Sequence, residues 1–527
     1  MYDLLFKNAH LVDGSGSPWR LADLAVKDGK IVAIGALSKE TAKETINCTG
    51  LVLAPGFIDI HSHSDFGLFD YGLNESRVLQ GVTTEIGGNC GITAAPVSPG
   101  KEELLRRYAG FLGDVDIPWQ SFGEYLDTLS KVPLSTSFGA VVGHGTLRIA
   151  VMGFEDRKAS PEEIIAMQNL ADQSLDAGAY GISTGLIYPP GYYADEAELI
   201  EVLKAAAPYR AYYETHMRDE GDGILDSVQE AINIGFGAGV PVQIAHHKIT
   251  GRKNWRILGQ ATLAKMERAR REGLDITMDQ YPYIASATSL TSMIPKWGFE
   301  GGMDAMLARL ENTETRAKLR SEILENFAEN LKLWSDIVVS SVATVENAWT
   351  HGLNIAEIAE KWHKEPIDAA FDLLIAEKGS VAQVTYGMCE EDVEMIMKHP
   401  LTMIGSDGSA YPLDGAGIPH PRLFATFTRV LGYYCRERQL FPLEEAVYKM
   451  TGFPAARIGL LDRGLLRPGL RADLTLFNPQ TVIDTPTFKN PKQASAGIER
   501  VYVAGVLTAQ NGKHTGATAG GVIRRGQ

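Results

Sequence analysis

The chain has 527 residues and a formal net charge of −15 with no basic run, so a nucleic-acid partner is not expected. No apolar stretch approaches the length of a membrane span, and the first residues, MYDLLFK, lack a signal peptide's charged start and small-residue cleavage site, so no membrane partner is expected either. The 4 cysteines are widely spaced, which argues against a disulfide framework and for a reducing, cytoplasmic setting.

At this length more than one domain is expected. The N-terminal part reads as short strands at 3–6, 21–27, 30–34 and 51–53, with a hairpin signal at Asp28-Gly29. Apolar or β-branched runs follow at 56–61, 83–86, 137–142, 179–184, 211–215, 240–245, 275–279 and 401–405. Each leads into a polar or Gly-rich segment, and helical patterns at 161–177, 196–207, 224–235 and 261–271 separate several of them. This alternation implies a parallel sheet with crossovers, and eight strands favour a closed barrel over an open sheet. No G-x-G-x-x-G follows the first strand, which speaks against a dinucleotide site. Residues 292–383 interrupt the path from strand seven to strand eight and are rich in helix formers, at 304–331, 354–363 and 366–378. They read as an inserted helical subdomain beside the barrel mouth, either a lid or a passive elaboration. Strands return at 472–477, 499–503 and 506–509, with a turn near Asn511-Gly512. The expected fold is therefore α/β. A (β/α)8 TIM-like barrel spans 56–455, with the helical insertion at 292–383, and a small β-sandwich is built from residues 1–55 and 456–527.

Chemistry gathers at the ends of these strands. In PGFIDIHSHSD, His61 and His63 sit at i and i+2 after a strand, so both imidazoles face one side and can grip one ion. Asp65 either orients an imidazole or caps the following helix. Cys90 lies in the glycine-rich turn GGNCG, the wrong setting for a core filler, and a thiolate is a good zinc ligand. Related barrels bridge two ions with a carboxylated lysine on strand four; this strand four has no lysine, which strengthens Cys90 as the bridge. His216 and His246 end strands five and six; His246 is preferred to His247 because it comes first after the apolar run, although alternation alone leaves His247 open. Asp407 ends strand eight, where it can bind metal and take a proton from the attacking water, returning it to the leaving nitrogen; the alternative is a helix N-cap. His144, after strand three, either donates to a substrate carbonyl, buttresses the metal site or is structural. No Gly-x-Ser-x-Gly elbow is present, and nothing requires a covalent intermediate. The set points to a metal-dependent hydrolase.

The motifs PGFIDIHSHSD, GGNCG, VVGHGTLR, STGLIYPPGYYA, ETHMRDE, IAHHK, QYPYIAS, IGSDG and HPRLFATFTRVLG run nearly end to end. In them the chain resembles the D-aminoacylase (N-acyl-D-amino-acid deacylase) family of the amidohydrolase superfamily. The resemblance implies a β-sandwich plus (β/α)8 barrel with a helical insertion. It implies Zn2+ held by Cys90, His216 and His246, and a weaker or optional second site using His61, His63, Cys90 and Asp407. It implies hydrolysis of N-acyl-D-amino acids, or cleavage of dipeptides with a C-terminal D-residue. It places Tyr188, Lys248 and Tyr281 on the substrate carboxylate; read by themselves, Lys248 could be a solvated loop residue and the tyrosines could simply pack.

Two departures are expected to matter. The family's carboxylate-clamping arginine is sought about a dozen residues before Asp407, where this sequence has EEDVEMIMK, and Ala287 stands where a serine is expected. Arg422 and Arg429 read as structural or rim residues, either of which could replace the missing fork. A drift in substrate follows as an expectation, toward another acid, a peptide or an amide without an adjacent carboxylate. A hydantoinase-like cyclic-amide hydrolase and an inactive scaffold barrel are the remaining readings. The substrate partner is a small molecule, and oligomeric state is left open.

Overall fold

The computed structural model describes residues 1–110, 112–113 and 115–526. The barrel strands are Phe57–Asp59, Val82–Gly87, Ser137–Ala140 continued by Val142–Gly143, Gly181–Gly185, Tyr212–His216, Val242–Ile244, Ile276–Gln280 and Thr402–Ile404. Each pairs in parallel with the next. The ring closes where strand eight meets strand one: Asp407 N donates to His61 O at 2.8 Å, and Ser62 bridges Gly408 in parallel. Strands such as Val82–Gly87 and Tyr212–His216 are buried at every position, so their polar members, Glu85, Glu214 and His216, are taken out of water with the rest.

The crossover helices follow their local signals. Pro161–Asp176 begins with Ser160 and Glu163 in a capping box and Pro at its first turn. The helix expected over 196–207 is α-helical only at Glu196–Leu203 and continues as a 3-10 segment, Lys204–Tyr209, where Pro208 removes a backbone donor. The lower barrel interior is filled by Ile58, Ile86, Tyr180, Tyr212 and Met403 packed with Ala455 and Ile458. The boundary expected at 456 thus falls inside a helix, Gly452–Ile458, that seats against the barrel.

Both termini enter one nine-stranded sheet, with Val52–Pro55 paired antiparallel to Leu474–Phe477. Its core gathers Phe6, Leu24, Leu53, Leu474 and Tyr502. The sequence after this sheet leaves the expected sandwich: Gly521–Val522 pairs in parallel with Ser137–Phe138 of barrel strand three.

The insertion is not purely helical. Ile337–Val342 and Val381–Thr385 join Ser286–Ser289 in a three-stranded antiparallel sheet. The helix-forming stretch at 304–331 folds as two helices, Met303–Glu311 and Thr313–Glu329. They break at Asn312, whose side chain accepts from the amides of Glu314 and Thr315 and so starts the second helix. Helices Ile355–Trp362 and Pro366–Ala376 complete the unit.

Candidate metal centre and substrate cavity

A cavity of about 1180 Å3 opens at the C-terminal ends of the barrel strands, the end at which such barrels carry chemistry. His63, Cys90, His216, His246 and Asp407 line it from the barrel, and the insertion supplies Ile323, Phe327 and Ile337 on one wall.

The potential ligands form a continuous chain of contacts. His63 Nε2 lies 3.1 Å and His61 Nε2 3.7 Å from Asp407 Oδ1. Cys90 Sγ lies 3.5 Å from His61 Nε2 and 3.3 Å from His246 Nε2. His246 and His216 then meet at Glu220, with Glu220 Oε1 3.2 Å from His246 Nδ1 and Oε2 3.6 Å from His216 Nε2. Three compact triads result: His61–Cys90–His246, His61–His63–Asp407 and His216–Glu220–His246. His216 reaches Cys90 through His246 and Glu220.

Local backbone makes this convergence possible. Cys90, His246 and Asp407 all take left-handed φ values, 55°, 31° and 50°. Such conformers are costly for residues with a side chain and cluster at functional sites. Gly88 lets the Cys90 turn pack, since a Cβ there would lie 2.0 Å from Val141 O. His61 is oriented by Asp279, 3.1 Å from Nδ1, and the same carboxylate accepts the His246 amide at 2.8 Å.

Asp65 makes no such contact. Its Oδ2 accepts from Gly88 N at 2.9 Å, so it braces the GGNCG loop, and burial pushes its carboxyl up to about 7. It lies within the helix Ser64–Gly67 rather than capping it. His247 turns to Thr262, at 2.9 Å. His144 is also directed elsewhere: its Nε2 meets Glu198 Oε1 at 3.0 Å, in a buried pair with Arg148. It does not line the cavity, so the expected substrate contact is corrected to a structural one.

The donor set fits zinc, a borderline-soft ion that takes thiolate and imidazole. Both ring nitrogens of His216 are buried without a hydrogen-bond partner among the described residues. Burial pushes His216 and His246 well below the usual histidine range, so both are neutral with a lone pair to give. Burial would do the same to His61, but Asp279, Asp407 and Glu214 outweigh it and raise His61 to about 9. These carboxylates call for a positive charge at this corner, a demand that a metal ion meets. Burial opposes ionisation of Asp407 as well, yet Arg422, His246 and His63 hold its carboxyl well below the ordinary range.

Beside this cluster lie Tyr188, Lys248 and Tyr281. Lys248 Nζ donates to Glu220 Oε1 at 2.6 Å and stands 5.6 Å from the centre of the Tyr281 ring. Tyr188 bonds Thr288 at 3.0 Å, so a hydroxyl is present next to Ala287. Tyr281 Oη is buried without a partner. Of the two arginines named as possible replacements for the missing fork, one reaches the cluster from after strand eight. Arg422 opens the helix Arg422–Arg429, is buried, and places Nη1 2.8 Å from Asp407 Oδ2 with its guanidinium 4.7 Å from the Tyr281 ring centre. Arg429 instead pairs with Asp484.

Fold and site together define a metal-dependent hydrolase built on a (β/α)8 barrel. Residues 44–509 match the model of the amidohydrolase family, and the chain belongs to that family. It is 39% identical to a D-aminoacylase of Alcaligenes xylosoxydans xylosoxydans over 99% of this chain and 98% of that one. It is 36% identical to an N-acyl-D-aspartate deacylase of the same organism, over 99% and 94%. The solved N-acyl-D-glutamate deacylase of Bordetella bronchiseptica, complexed with zinc and a phosphonate mimic of the tetrahedral intermediate, superposes with a TM-score of 0.84 at 34% identity, covering 99% of each chain.

Proposed function

We propose that this protein is a zinc-dependent N-acyl-D-amino-acid deacylase. The observation that carries the reading is Asp407, whose carboxylate reaches the ligand cluster through Oδ1 and the cation Arg422 through Oδ2. A substrate whose scissile amide lies one carbon from a carboxylate matches that arrangement. Arg422, Lys248 and the phenols of Tyr188 and Tyr281 hold the carboxylate, and the acyl group turns toward the cluster. Cys90, His216 and His246 would hold the principal ion, and His61, His63 and Asp407, sharing Cys90, a second. Bound zinc supplies Lewis-acid chemistry, acidifying water and polarising the acyl carbonyl. Asp407 accepts the proton of the attacking water and passes it to the leaving nitrogen. The D preference rests on the relatives named above. The four unpaired cysteines suit a reducing, cytoplasmic compartment.

One wall favours an acidic substrate. Lys296 lines the cavity, and among the described residues no carboxylate stands within ion-pairing distance of it. Its ammonium donates to the carbonyl of Ile187 and lies 4.9 Å from the Tyr192 ring centre, and burial brings it down to about 8. Asp219 acts on it only from beyond ion-pairing distance, so the ammonium there suits a second carboxylate, on the amino-acid side chain or the acyl group.

The test is initial rates of zinc-loaded enzyme on matched N-acetyl-D and N-acetyl-L amino acids, with L-Xaa-D-Xaa dipeptides alongside. Strong D preference among the acetylated compounds supports the proposal. Cleavage of the dipeptides alone makes the protein a peptidase, and silence on all of them overturns both.

A further inference from the structure

Asp407 sits in the left-handed region with φ 50°, and a distinct set of buried groups pins the backbone on either side of it. Asp59 Oδ1 accepts from Ser406 N at 2.8 Å and from His61 N at 3.3 Å, and Asp59 Oδ2 accepts from Ser406 Oγ at 2.5 Å. Ser406 Oγ in turn accepts from Gly408 N at 3.1 Å. The serine hydroxyl thereby fixes the peptide after Asp407 and Asp59 the peptide before Ser406, while the peptide between Ser406 and Asp407 is held by Asp407 N donating to His61 O at 2.8 Å.

Arg77 anchors that carboxylate. It is fully buried, with Nε 3.1 Å from Asp59 Oδ2 and 3.4 Å from Glu85 Oε2. Glu85 Oε2 also accepts from Ser64 Oγ at 2.7 Å, next to His63. Arg77 Nη1 donates to Leu423 O at 2.9 Å, next to Arg422. Gly408 leaves room for it, since a Cβ there would approach Arg77 Nη2 to 2.9 Å. One guanidinium therefore ties together the segments that carry His63, Asp407 and Arg422. A buried cation with two carboxylates is costly to take out of water, and its bonds here all run to segments that carry site residues.

We propose that Ser406, Asp59 and Arg77 are positioning residues that hold Asp407 in its left-handed conformer and so aim its carboxylate between the ligand cluster and the substrate carboxylate. The inference rests on the reading of Asp407 as the proton-transfer group. Loss of the Ser406 hydroxyl frees the peptide after Asp407 and its tie to Asp59, while leaving Cys90, His216, His246 and the substrate contacts in place. The expected consequence is a misaimed base, which lowers kcat and spares KM, because misplacement of a catalytic group by about 1 Å costs roughly 100-fold.

The experiment compares zinc-loaded Ser406→Ala, Ser406→Thr and Asp407→Asn with the wild type, measuring kcat, KM, bound zinc and Tm. Support is a fall in kcat of about 100-fold for Ser406→Ala with KM within about threefold, zinc content and Tm close to wild type, and recovery of most of the rate in Ser406→Thr, which keeps the hydroxyl. A kcat within threefold of wild type in Ser406→Ala overturns the inference, as does a loss matched by loss of zinc from a folded protein. Should Ser406→Ala fail to fold, Asp59→Asn, which keeps an acceptor for the Ser406 amide, is judged by the same criteria. Full activity in Asp407→Asn overturns the underlying reading of the base; an inactive Asp407→Asn beside an unimpaired Ser406→Ala overturns this inference alone.

Discussion

Arg422 Nη1 stands 2.8 Å from Asp407 Oδ2, so the group proposed to anchor the substrate carboxylate also touches the group proposed to move the proton. Binding and chemistry share one ion pair. A substrate that draws Arg422 toward its own carboxylate alters the charge felt by Asp407 at the moment the amide is in place.

Arg422→Met is expected to cost about 2–4 kcal/mol of transition-state binding, roughly 30- to 1000-fold in kcat/KM, on any substrate with a free carboxylate next to the amide. Arg422→Lys keeps the charge and loses the planar fork, so it recovers only part of that loss. Steady-state kinetics on an N-acetyl amino acid and on its carboxamide check this. Equal losses on both compounds would remove Arg422 from carboxylate recognition.

Chelation of zinc is expected to abolish hydrolysis, and zinc returned in stoichiometric amounts to restore it. Cys90→Ala removes the sulfur shared by His61 and His246, and is expected to lose the tightly held ion while the barrel stays folded. Metal analysis of the purified variant beside its circular dichroism reads this directly; full zinc content would exclude Cys90 as a ligand.

Lys296→Met is expected to lower kcat/KM for N-acetyl-D-glutamate or N-acetyl-D-aspartate by at least about 30-fold, the scale of a lost charge-assisted hydrogen bond. Rates on N-acetyl-D-leucine or N-acetyl-D-methionine should hold or rise. Uniform behaviour across acidic and neutral substrates would show that Lys296 has no part in selecting them.

Glu198 predicts acid sensitivity of the fold. Burial opposes its charge, but bonds from His144 and the Arg148 guanidinium win and bring its carboxyl down to about 2 from 4.5. A carboxyl depressed in the folded state stabilises the fold above its unfolded pKa, and the benefit disappears as pH falls from about 4.5 toward 2. Its size at neutral pH is of order 3 kcal/mol. Glu198→Gln should therefore lower Tm markedly at pH 7 and far less at pH 3, which thermal denaturation at the two values would show. An equal Tm difference at both would mean that the pair contributes through packing alone.

Much of this was legible in the chain. The barrel strands announce themselves because each is buried on both faces and ends in a polar turn; His61, His63, Cys90, His246 and Asp407 stand on those turns, and His216 is the last residue of its strand. Glu220 was not legible: it lies in the charged run Arg218-Asp219-Glu220, a pattern that ordinarily marks a solvated loop, and only its approach to Lys248 and His246 gives it a place in the site. Asp279 left a weak signal, a carboxylate inside the apolar strand Ile276–Gln280, where a charge needs a partner. Arg422 was named only as one of two possible replacements for the missing fork, because sequence order says nothing of which loop folds back over the mouth. The strands Ile337–Val342 and Val381–Thr385 were β-branched enough to read, but the helix-forming stretches around them masked the change of period.

The pairing of Ala54 with Thr475 carries a consequence for how this protein comes into being. At ribosomal speeds of about 5–20 residues per second, the strand at 52–55 emerges roughly 20–80 s before the partner it will keep. For that interval its unpaired edge is offered to whatever else is near, including the same segment on neighbouring ribosomes of one messenger. Expression yield should thus depend on how the edge is sheltered during synthesis, by a chaperone or by slow-growth temperature, long before any question of catalysis arises.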